Sequence, residues 1–395
     1  MQKGKPDKEI HILMILKNYL KVPNGTQWQA ISLAKALKEK GCIVEFVVAN
    51  VEGIKNKKGY KDPSGILVHI LPYIAVRVLG TFLYLISLAI FIIANRKKYH
   101  IYHIYFAKYS AFAASLLKPL HHKVIICRPA GAGIYGDISV LKKETWFPWL
   151  ILRTLRKVDA IVTVSKAIKD EFISENFSEE KVVLIPNGVD VSRFNMKHQL
   201  ANTSLAGDLS ESSKIIRLLF VGRLSPHKGL KYLFDALKKM DDKIKYQLTL
   251  IGDGEIRSEL EEYVRQSNLS SMVTFAGSQL NVEKYYKESD IFILPSISEG
   301  LSNSLLEAMA SGLAVIAAKV SGTEDVIEDG INGILVESKN SAQIASAIVN
   351  LSESESLRIK LGENARETVL KNFSIDSVAE KYIALYKSLL NKVRD

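Results

Sequence analysis

The amino-acid sequence predicts an α/β protein of two doubly wound domains, each an open, mostly parallel sheet with helices on both faces. Three observations lead there. Short continuous apolar runs recur along the chain, the pattern of strands buried on both faces, and they alternate with helix-length segments. A chain of 395 residues with 47% hydrophobic content can bury two substantial cores. A polar stretch without apolar periodicity, residues 195–213, separates two series of such runs.

The first series begins at residues 10–16, Ile-His-Ile-Leu-Met-Ile-Leu, after a basic start. A loop over 18–25 leads into a helix with apolar positions Ile31, Leu33, Ala34 and Leu37, stopped by Gly41, and then a strand at 43–49. Open parallel sheets bind ligands beyond the carboxyl ends of their strands, so Asn24-Gly25-Thr26 is a candidate site loop, with an ordinary tight turn as the equal alternative. Further strands are expected at 100–106, 123–127, 160–164 and 182–185, with helical runs such as 111–117 and 146–157 between them. Arg128-Pro129-Ala130-Gly131-Ala132-Gly133 follows a strand end, where its glycines admit a sugar or phosphate close to the backbone or simply form a loop.

Residues 78–94 carry no charge and are closed by Arg96-Lys97-Lys98. The length is at the lower limit for a membrane span, but spanning would put strands of one sheet on opposite sides of the bilayer. The run is therefore read as a helix that packs on the domain, docks at a bilayer interface, or does both with different faces.

Pro186-Asn187-Gly188-Val189-Asp190 is a turn cluster, and residues 191–214 are read as the linker between a first domain over 1–190 and a second domain over 215–373. The second series has strands at 216–222, 247–251, 273–276, 291–294, 314–317 and 333–336. The last helix, 374–395, is expected to pack back on the first domain.

Formal net charge is +11 and is unevenly spread: residues 1–200 hold 30 Lys and Arg against 15 Asp and Glu, and residues 201–395 hold 23 against 27. That asymmetry points to an anionic partner, an acidic membrane surface or a nucleic acid, or to a merely solubilising surface. No nucleic-acid motif accompanies the charge. Two cysteines, Cys42 and Cys127, in apolar runs argue against a disulfide framework and for a reducing compartment. No cysteine and histidine cluster has zinc-like spacing.

The chemistry concentrates in the second half. Ser298-Glu299-Gly300-Leu301-Ser302-Asn303-Ser304-Leu305-Leu306-Glu307 runs from a strand end through a turn into a helix that Gly312 ends, with two carboxylates eight positions apart. Backbone amides at a helix start suit a phosphate, and carboxylates accept hydrogen bonds from sugar hydroxyls, so the stretch reads as a nucleotide-sugar site. Gly222-Arg223-Leu224-Ser225-Pro226-His227-Lys228-Gly229 follows another strand end, and its two cations can converge on a diphosphate. Gly252-Asp253-Gly254 is a further strand-end turn, with Asp253 read as a turn residue and Phe275 as core.

These elements, Val221-Gly222-Arg223-Leu224 with Lys228-Gly229, Ile251-Gly252-Asp253-Gly254, the pair Glu299 and Glu307, and Gly330-Ile331-Asn332-Gly333, resemble the family 4 glycosyltransferases in order and spacing. Pro186-Asn187-Gly188-Val189-Asp190 is similar to that family's interdomain signature. The resemblance implies GT-B architecture, two Rossmann-like domains facing a cleft, and retaining transfer from a nucleotide-diphosphate sugar. It implies that Arg223 and Lys228 hold the donor diphosphate, Glu299 meets hydroxyls of the transferred sugar and Glu307 binds the ribose. The backbone of Gly300, Leu301, Ser302 and Asn303 would complete the cradle, and Gly25, Gly222 and Gly252 are counted on the donor side. No cofactor or metal is implied, and no Asp-x-Asp motif is present.

The first half departs from the pattern. Asn24-Gly25 stands where many members have a Gly-Gly pair, and Cys127-Arg128-Pro129 where many have a histidine. Arg128 substitutes for that histidine only electrostatically, since a guanidinium cannot act as a base. Asp137 is a second acceptor-side candidate, with a helix N-cap as its commoner role, and His103 is read as a core histidine.

The function expected is transfer of a sugar to a glycan or lipid-linked acceptor in envelope, capsular or exopolysaccharide biosynthesis. The expected location is cytoplasmic and peripheral at the inner face of the cell membrane, with an anionic membrane surface as partner. A sugar-nucleotide epimerase of the same two-domain plan and a catalytically lapsed donor-binding subunit are the rival readings.

Overall fold

The computed structural model describes residues 9–17, 25–51, 59–74, 76–129, 131, 136–145, 147–194, 215–240 and 244–393. The chain divides into two compact units, residues 1–187 with 375–395, and residues 188–374.

Unit 1 contains the strands β1 (His11–Ile15), β2 (Ile43–Ala49), β3 (Tyr60–Lys61), β4 (Leu67–Leu71), β5 (Ile101–Tyr105), β6 (Val124–Arg128), β7 (Ala160–Thr163) and β8 (Val182–Leu184). Its helices are α1 (Gly25–Glu39), α2 (Arg77–Ala94), α3 (Tyr109–Leu116), the single turn α4 (Lys118–His121), α5 (Asp137–Glu144), α6 (Pro148–Leu155) and α7 (Lys166–Ser174). The sheet order is β3-β4-β2-β1-β5-β6-β7-β8, parallel except for the short edge strand β3. Leu13, Met14 and Ile15 are wholly buried, which explains why β1 reads as an unbroken apolar run instead of an alternating one. One face of the sheet forms a core with α1 and the C-terminal helix Ile375–Lys392, where Met14, Phe46, Ile126, Leu37, Tyr382 and Tyr386 meet.

The opposite face carries α2, packed beside α3, which in turn packs beside α6. α2 buries Gly80, Tyr84, Leu88 and Ile92, every fourth residue, as a helix lying on a sheet must. Because β4 before it and β5 after it belong to one sheet, α2 does not span a bilayer, and no helix among the described residues is long and apolar enough to cross one. Its far end is tied down by Glu45, which accepts hydrogen bonds from His69 Nε2 at 2.7 Å and Tyr99 Oη at 2.6 Å and pairs with Lys98 Nζ at 2.6 Å. Burial alone raises the Glu45 pKa, but these three partners hold it down at about 2.

Unit 2 contains β9 (Ile216–Val221), β10 (Tyr246–Ile251), β11 (Val273–Gly277), β12 (Ile291–Leu294), β13 (Ala314–Ala318) and β14 (Ile334–Val336). Its helices are α8 (Leu230–Leu237), α9 (Arg257–Gln266), α10 (Glu283–Glu288), α11 (Asn303–Ala310), the single turn α12 (Ser321–Glu324), α13 (Ser341–Glu353) and α14 (Glu355–Asn372). All strand pairs are parallel, in the order β11-β10-β9-β12-β13-β14, the doubly wound arrangement of a dinucleotide-binding sheet.

Two sequence expectations are corrected here. The chain changes units at Asn187/Gly188, not after residue 190, because Val189 N–H donates to Phe373 O at 2.9 Å and Arg193 pairs with Glu283, both within unit 2. Residues 191–194 of the expected linker thus belong to unit 2, and residues 195–214 lie outside the described residues. The strands β3 and β4 were not anticipated: Tyr60-Lys61 is too short to show a period, and Leu67–Leu71 carries His69 within its run.

Candidate active site

In unit 2 the strand order reverses between β9 and β12, so the loops leaving those two strands stand at the switch point of the carboxyl edge, where open parallel sheets bind ligands. The two loops there are the two stretches singled out in the sequence, residues 222–229 and 295–302. They are stitched together: Ile297 N–H donates to His227 O at 2.7 Å, and Gly229, at φ +66°, packs so closely that a Cβ would lie 2.1 Å from Pro295 O. Only glycine fits there.

Across this seam Lys228 Nζ pairs with Glu299 Oε1, which also accepts a hydrogen bond from Ser296 Oγ at 2.7 Å. Both charged side chains are largely buried, at 13% and 10% exposure. A buried pair of this kind holds its geometry because either partner alone would be an uncompensated charge. Arg223 differs. Its side chain is 70% exposed and bonds Glu255 Oε2 from Nε at 3.1 Å, a surface ion pair that constrains it little.

The turn bearing Glu299 is clasped from behind. Ser321 Oγ donates to Glu299 O at 2.8 Å, and Gly322 lies against Gly300, where a Cβ would come within 2.1 Å of Gly300 O. Leu301 and Ser302 are buried as the chain turns into α11, and Ser302 caps that helix by accepting Leu305 N–H at 3.4 Å. Asn303 is its first residue, and Gly312 at φ +71° follows its end.

Glu307, two helical turns beyond Glu299, is half-buried on α11. Tyr286, fully buried on α10, donates from Oη to Glu307 Oε2 at 2.8 Å. Burial pushes the Glu307 carboxyl up to about 7, against the Tyr286 hydrogen bond and the nearby Arg193 charge, both of which lower it. Arg193 is held by Glu283 Oε1, at 2.8 Å from Nε. A carboxylate that costs this much to ionise is stabilised by any hydroxyl donor brought to it.

The remaining glycines have packing roles. Gly252, at φ +130°, would place a Cβ 1.9 Å from Gly222 O, and Gly254 one 2.1 Å from Leu224 O, so the loops after β9 and β10 lie backbone against backbone. Gly222 lies over the Phe220 ring and the Lys228 stem. Asp253 is a turn residue, accepting Gly254 N–H at 2.8 Å and pairing with Arg257 at 3.0 Å. Phe275 is half-buried against Phe234.

The other candidates lie in unit 1. Gly25 is the exposed first residue of α1, and Asn24 lies outside the described residues. Arg128, 4% exposed, donates to Asn187 Oδ1, and its guanidinium carbon stands 5.2 Å from the Tyr105 ring centroid. Among the described residues no carboxylate is within ion-pair distance of it. Asp137 is not an N-cap; that position is Gly136. Its buried carboxylate accepts Ala107 N–H at 3.0 Å and Gly131 N–H at 3.2 Å, tying together the loops that leave β5 and β6. His103 is a core histidine, fully buried and bonded through Nδ1 to Tyr386 Oη at 2.8 Å, with its pKa lowered to about 3 by burial and by Arg128.

The structure therefore brings Gly222, Lys228 and Glu299 together, with Arg223 at the rim and Glu307 further along α11, while Gly25, Arg128 and Asp137 stand in the other unit. Sequence reasoning missed Ser296, Tyr286, Ser321 and Gly322. The last two had a signal, since Ser321-Gly322 opens the helical turn α12 just past the end of β13, the same strand-end position that marked the other loops. Tyr286 had none.

Two Rossmann-like units on one chain, with two spaced carboxylates beside the switch point of the second, are the plan of the GT-B glycosyltransferases. The chain belongs to the family 4, group 1 glycosyltransferases: residues 23–193 match "Glycosyltransferase Family 4" and residues 206–368 match "Glycosyl transferases group 1". It is 32% identical over 233 residues to an uncharacterised glycosyltransferase of Methanocaldococcus jannaschii, covering 58% of this chain and 59% of that protein. It is 27% identical over 252 residues to the Escherichia coli UDP-Gal:alpha-D-GlcNAc-diphosphoundecaprenol alpha-1,3-galactosyltransferase, covering 61% and 63%. The match thus spans less than two thirds of either relative. The crystal structure of Anabaena HepE in complex with UDP shares the fold, with a TM-score of 0.74 at 18% identity over 96% of this chain and 100% of that one.

Proposed function

We propose that the protein is a retaining glycosyltransferase that moves a sugar from a nucleotide-diphosphate donor to a glycan or lipid-linked acceptor in envelope or exopolysaccharide biosynthesis. The observation that carries this is the buried Lys228–Glu299 pair at the switch point of unit 2, with Glu307 on the helix that follows. Lys228 and Arg223 take the donor diphosphate, Arg223 by leaving Glu255, and the start of α11, Gly300 to Asn303, adds its dipole. Glu299 meets hydroxyls of the transferred sugar and Glu307 those of the ribose. Gly222 keeps space open over Lys228. Gly25 marks the unit 1 loop assigned to the donor side, and Gly252 supports the Gly222 loop from below. Arg128 and Asp137 shape the acceptor-side loops after β5 and β6.

In the reaction the bond from the anomeric carbon to the leaving phosphate oxygen breaks, and the acceptor oxygen bonds that carbon on the same face. The acceptor proton passes to a departing phosphate oxygen. Arg223 and Lys228 stabilise the charge that grows on the leaving group, so no metal is assigned to the step. The relative from Escherichia coli is named for a UDP-sugar donor and a diphosphoundecaprenol acceptor, which supports a lipid-linked acceptor; with such an acceptor goes an enzyme peripheral to the inner face of the cell membrane.

A panel of nucleotide sugars tested by thermal shift identifies the donor, since a ligand of the folded state raises its apparent stability. Incubation of that donor without acceptor then separates the readings. Conversion of the sugar without release of nucleotide identifies an epimerase, and tight binding without transfer to any acceptor identifies a binding subunit. Either outcome overturns the proposal.

A further inference from the structure

α2 is apolar on both sides, but only one side is covered. Opposite the buried row of Gly80, Tyr84, Leu88 and Ile92 runs a second row, Leu79, Phe82, Ile86 and Ile90, exposed at 57%, 59%, 57% and 65%. A helix on the surface of a water-soluble domain carries polar residues there. Further exposed apolar side chains stand on helices around it: Leu120 on α4, which packs against α2, and Phe147 and Trp149 at the start of α6, which packs against α3, each about as exposed. An exposed apolar row of this length along one helix marks an interaction site.

The charge around the patch selects the partner. From residue 63 to residue 136, the stretch that contains α2, α3 and α4, the sequence has no Asp or Glu and eight Lys and Arg. Arg96 and Lys97, exposed just past the end of α2, have no ion pair among the described residues, and Arg153 is exposed one turn after Trp149 on α6. A second copy of the chain docking face to face would oppose these cations to one another. An anionic surface neutralises them.

We infer that unit 1 docks on an anionic lipid bilayer through this face, with α2 lying in the interfacial plane and not across it. Leu79, Phe82, Ile86 and Ile90 enter the boundary between headgroups and acyl chains, Trp149 and Phe147 lie at headgroup level, and Arg96, Lys97 and Arg153 meet lipid phosphates. Because Glu45 fixes the end of α2 through Lys98 and Tyr99, the helix is presented already folded. The lipid partner agrees with the lipid-linked acceptor proposed above and rests on that reading only for its biological purpose.

The test is flotation of the purified full chain with phosphatidylcholine vesicles, with and without phosphatidylglycerol. Binding is expected to the anionic vesicles and to weaken as salt is raised. Phe82→Glu with Ile86→Glu is expected to reduce it at least about tenfold, through lost apolar insertion and added repulsion. Arg96→Glu with Lys97→Glu, outside the apolar row, is expected to abolish the preference for phosphatidylglycerol. Absence of wild-type binding at low salt, or unchanged binding of the apolar double variant, overturns the inference. So does a dimer seen by sedimentation that the double variant dissolves while flotation persists. Nucleotide binding measured by calorimetry on the same samples reports the donor site separately, so loss of flotation and loss of the donor reading are told apart.

Discussion

Replacing Glu307 by Gln should make unit 2 more stable above neutral pH and at the same time weaken its hold on a nucleotide. The carboxyl has a folded-state pKa of about 7 against a reference of 4.5, because the helix and Tyr286 bury it. Between those values the folded protein holds a proton that the unfolded chain has lost, so stability falls as pH rises through that window and is flat above it. About 2.5 pKa units at 1.36 kcal/mol each give on the order of 3 kcal/mol of strain at pH 8. Gln cannot ionise and keeps an oxygen for Tyr286 Oη, so the variant should lose this slope. Urea unfolding at pH 5, 6, 7 and 8 measures it: the variant's advantage should be about 1 kcal/mol at pH 5 and grow to on the order of 3 kcal/mol at pH 8. A charge-assisted hydrogen bond to ribose is worth about 1.5–3 kcal/mol, so nucleoside diphosphate affinity should fall roughly 10- to 150-fold at pH 8 by calorimetry. A stability difference that does not vary with pH would refute the burial argument. An unchanged affinity would refute the ribose assignment while leaving the burial argument intact.

Tyr286→Phe removes the donor to Glu307 but not the ring packed against Phe194 and Phe292, so donor KM should rise several-fold with kcat unchanged in initial-rate assays. Lys228→Ala leaves Glu299 buried without its cation and should lower stability by about 3–5 kcal/mol, whereas the double change Lys228→Met with Glu299→Leu should recover most of that while abolishing transfer, as denaturation and turnover would show. Arg223→Ala, at an exposed pair, should leave the unfolding midpoint in place yet reduce kcat about 100-fold if the guanidinium stabilises the leaving diphosphate. Gly252→Ala should unfold or loosen the loop after β10, since its Cβ would sit 1.9 Å from a backbone oxygen at a positive φ, and limited proteolysis reads that directly.

Most of the fold was legible in the sequence because parallel strands buried on both faces cannot alternate; they appear as apolar runs, and β12 (Ile291–Leu294) coincides with its run to the residue. The edge strand β3 escaped because two residues show no period, and β4 beside it because His69 interrupts its short apolar run. For the site, strand-end glycines and paired carboxylates locate the switch point because a doubly wound topology fixes where ligands go. What the sequence did not show is which groups meet. Lys228 and Glu299 are 71 residues apart, and nothing local announces their ion pair. Asp137 looked like a cap, yet its carboxylate reaches sideways to Ala107 and Gly131 because the neighbouring strand end is near in space and not in sequence.

The clasp behind Glu299 sets what can be exchanged between enzymes of this kind. Residues 295–303 look like a self-contained cassette, yet their turn is held by a hydroxyl and a missing side chain at Ser321 and Gly322, beyond an intervening helix and strand. A chimera that grafts a foreign loop onto this scaffold, or this loop onto another, has to carry both positions along. Recombination points for altering donor choice therefore fall before β12 and after α12, not at the ends of the loop.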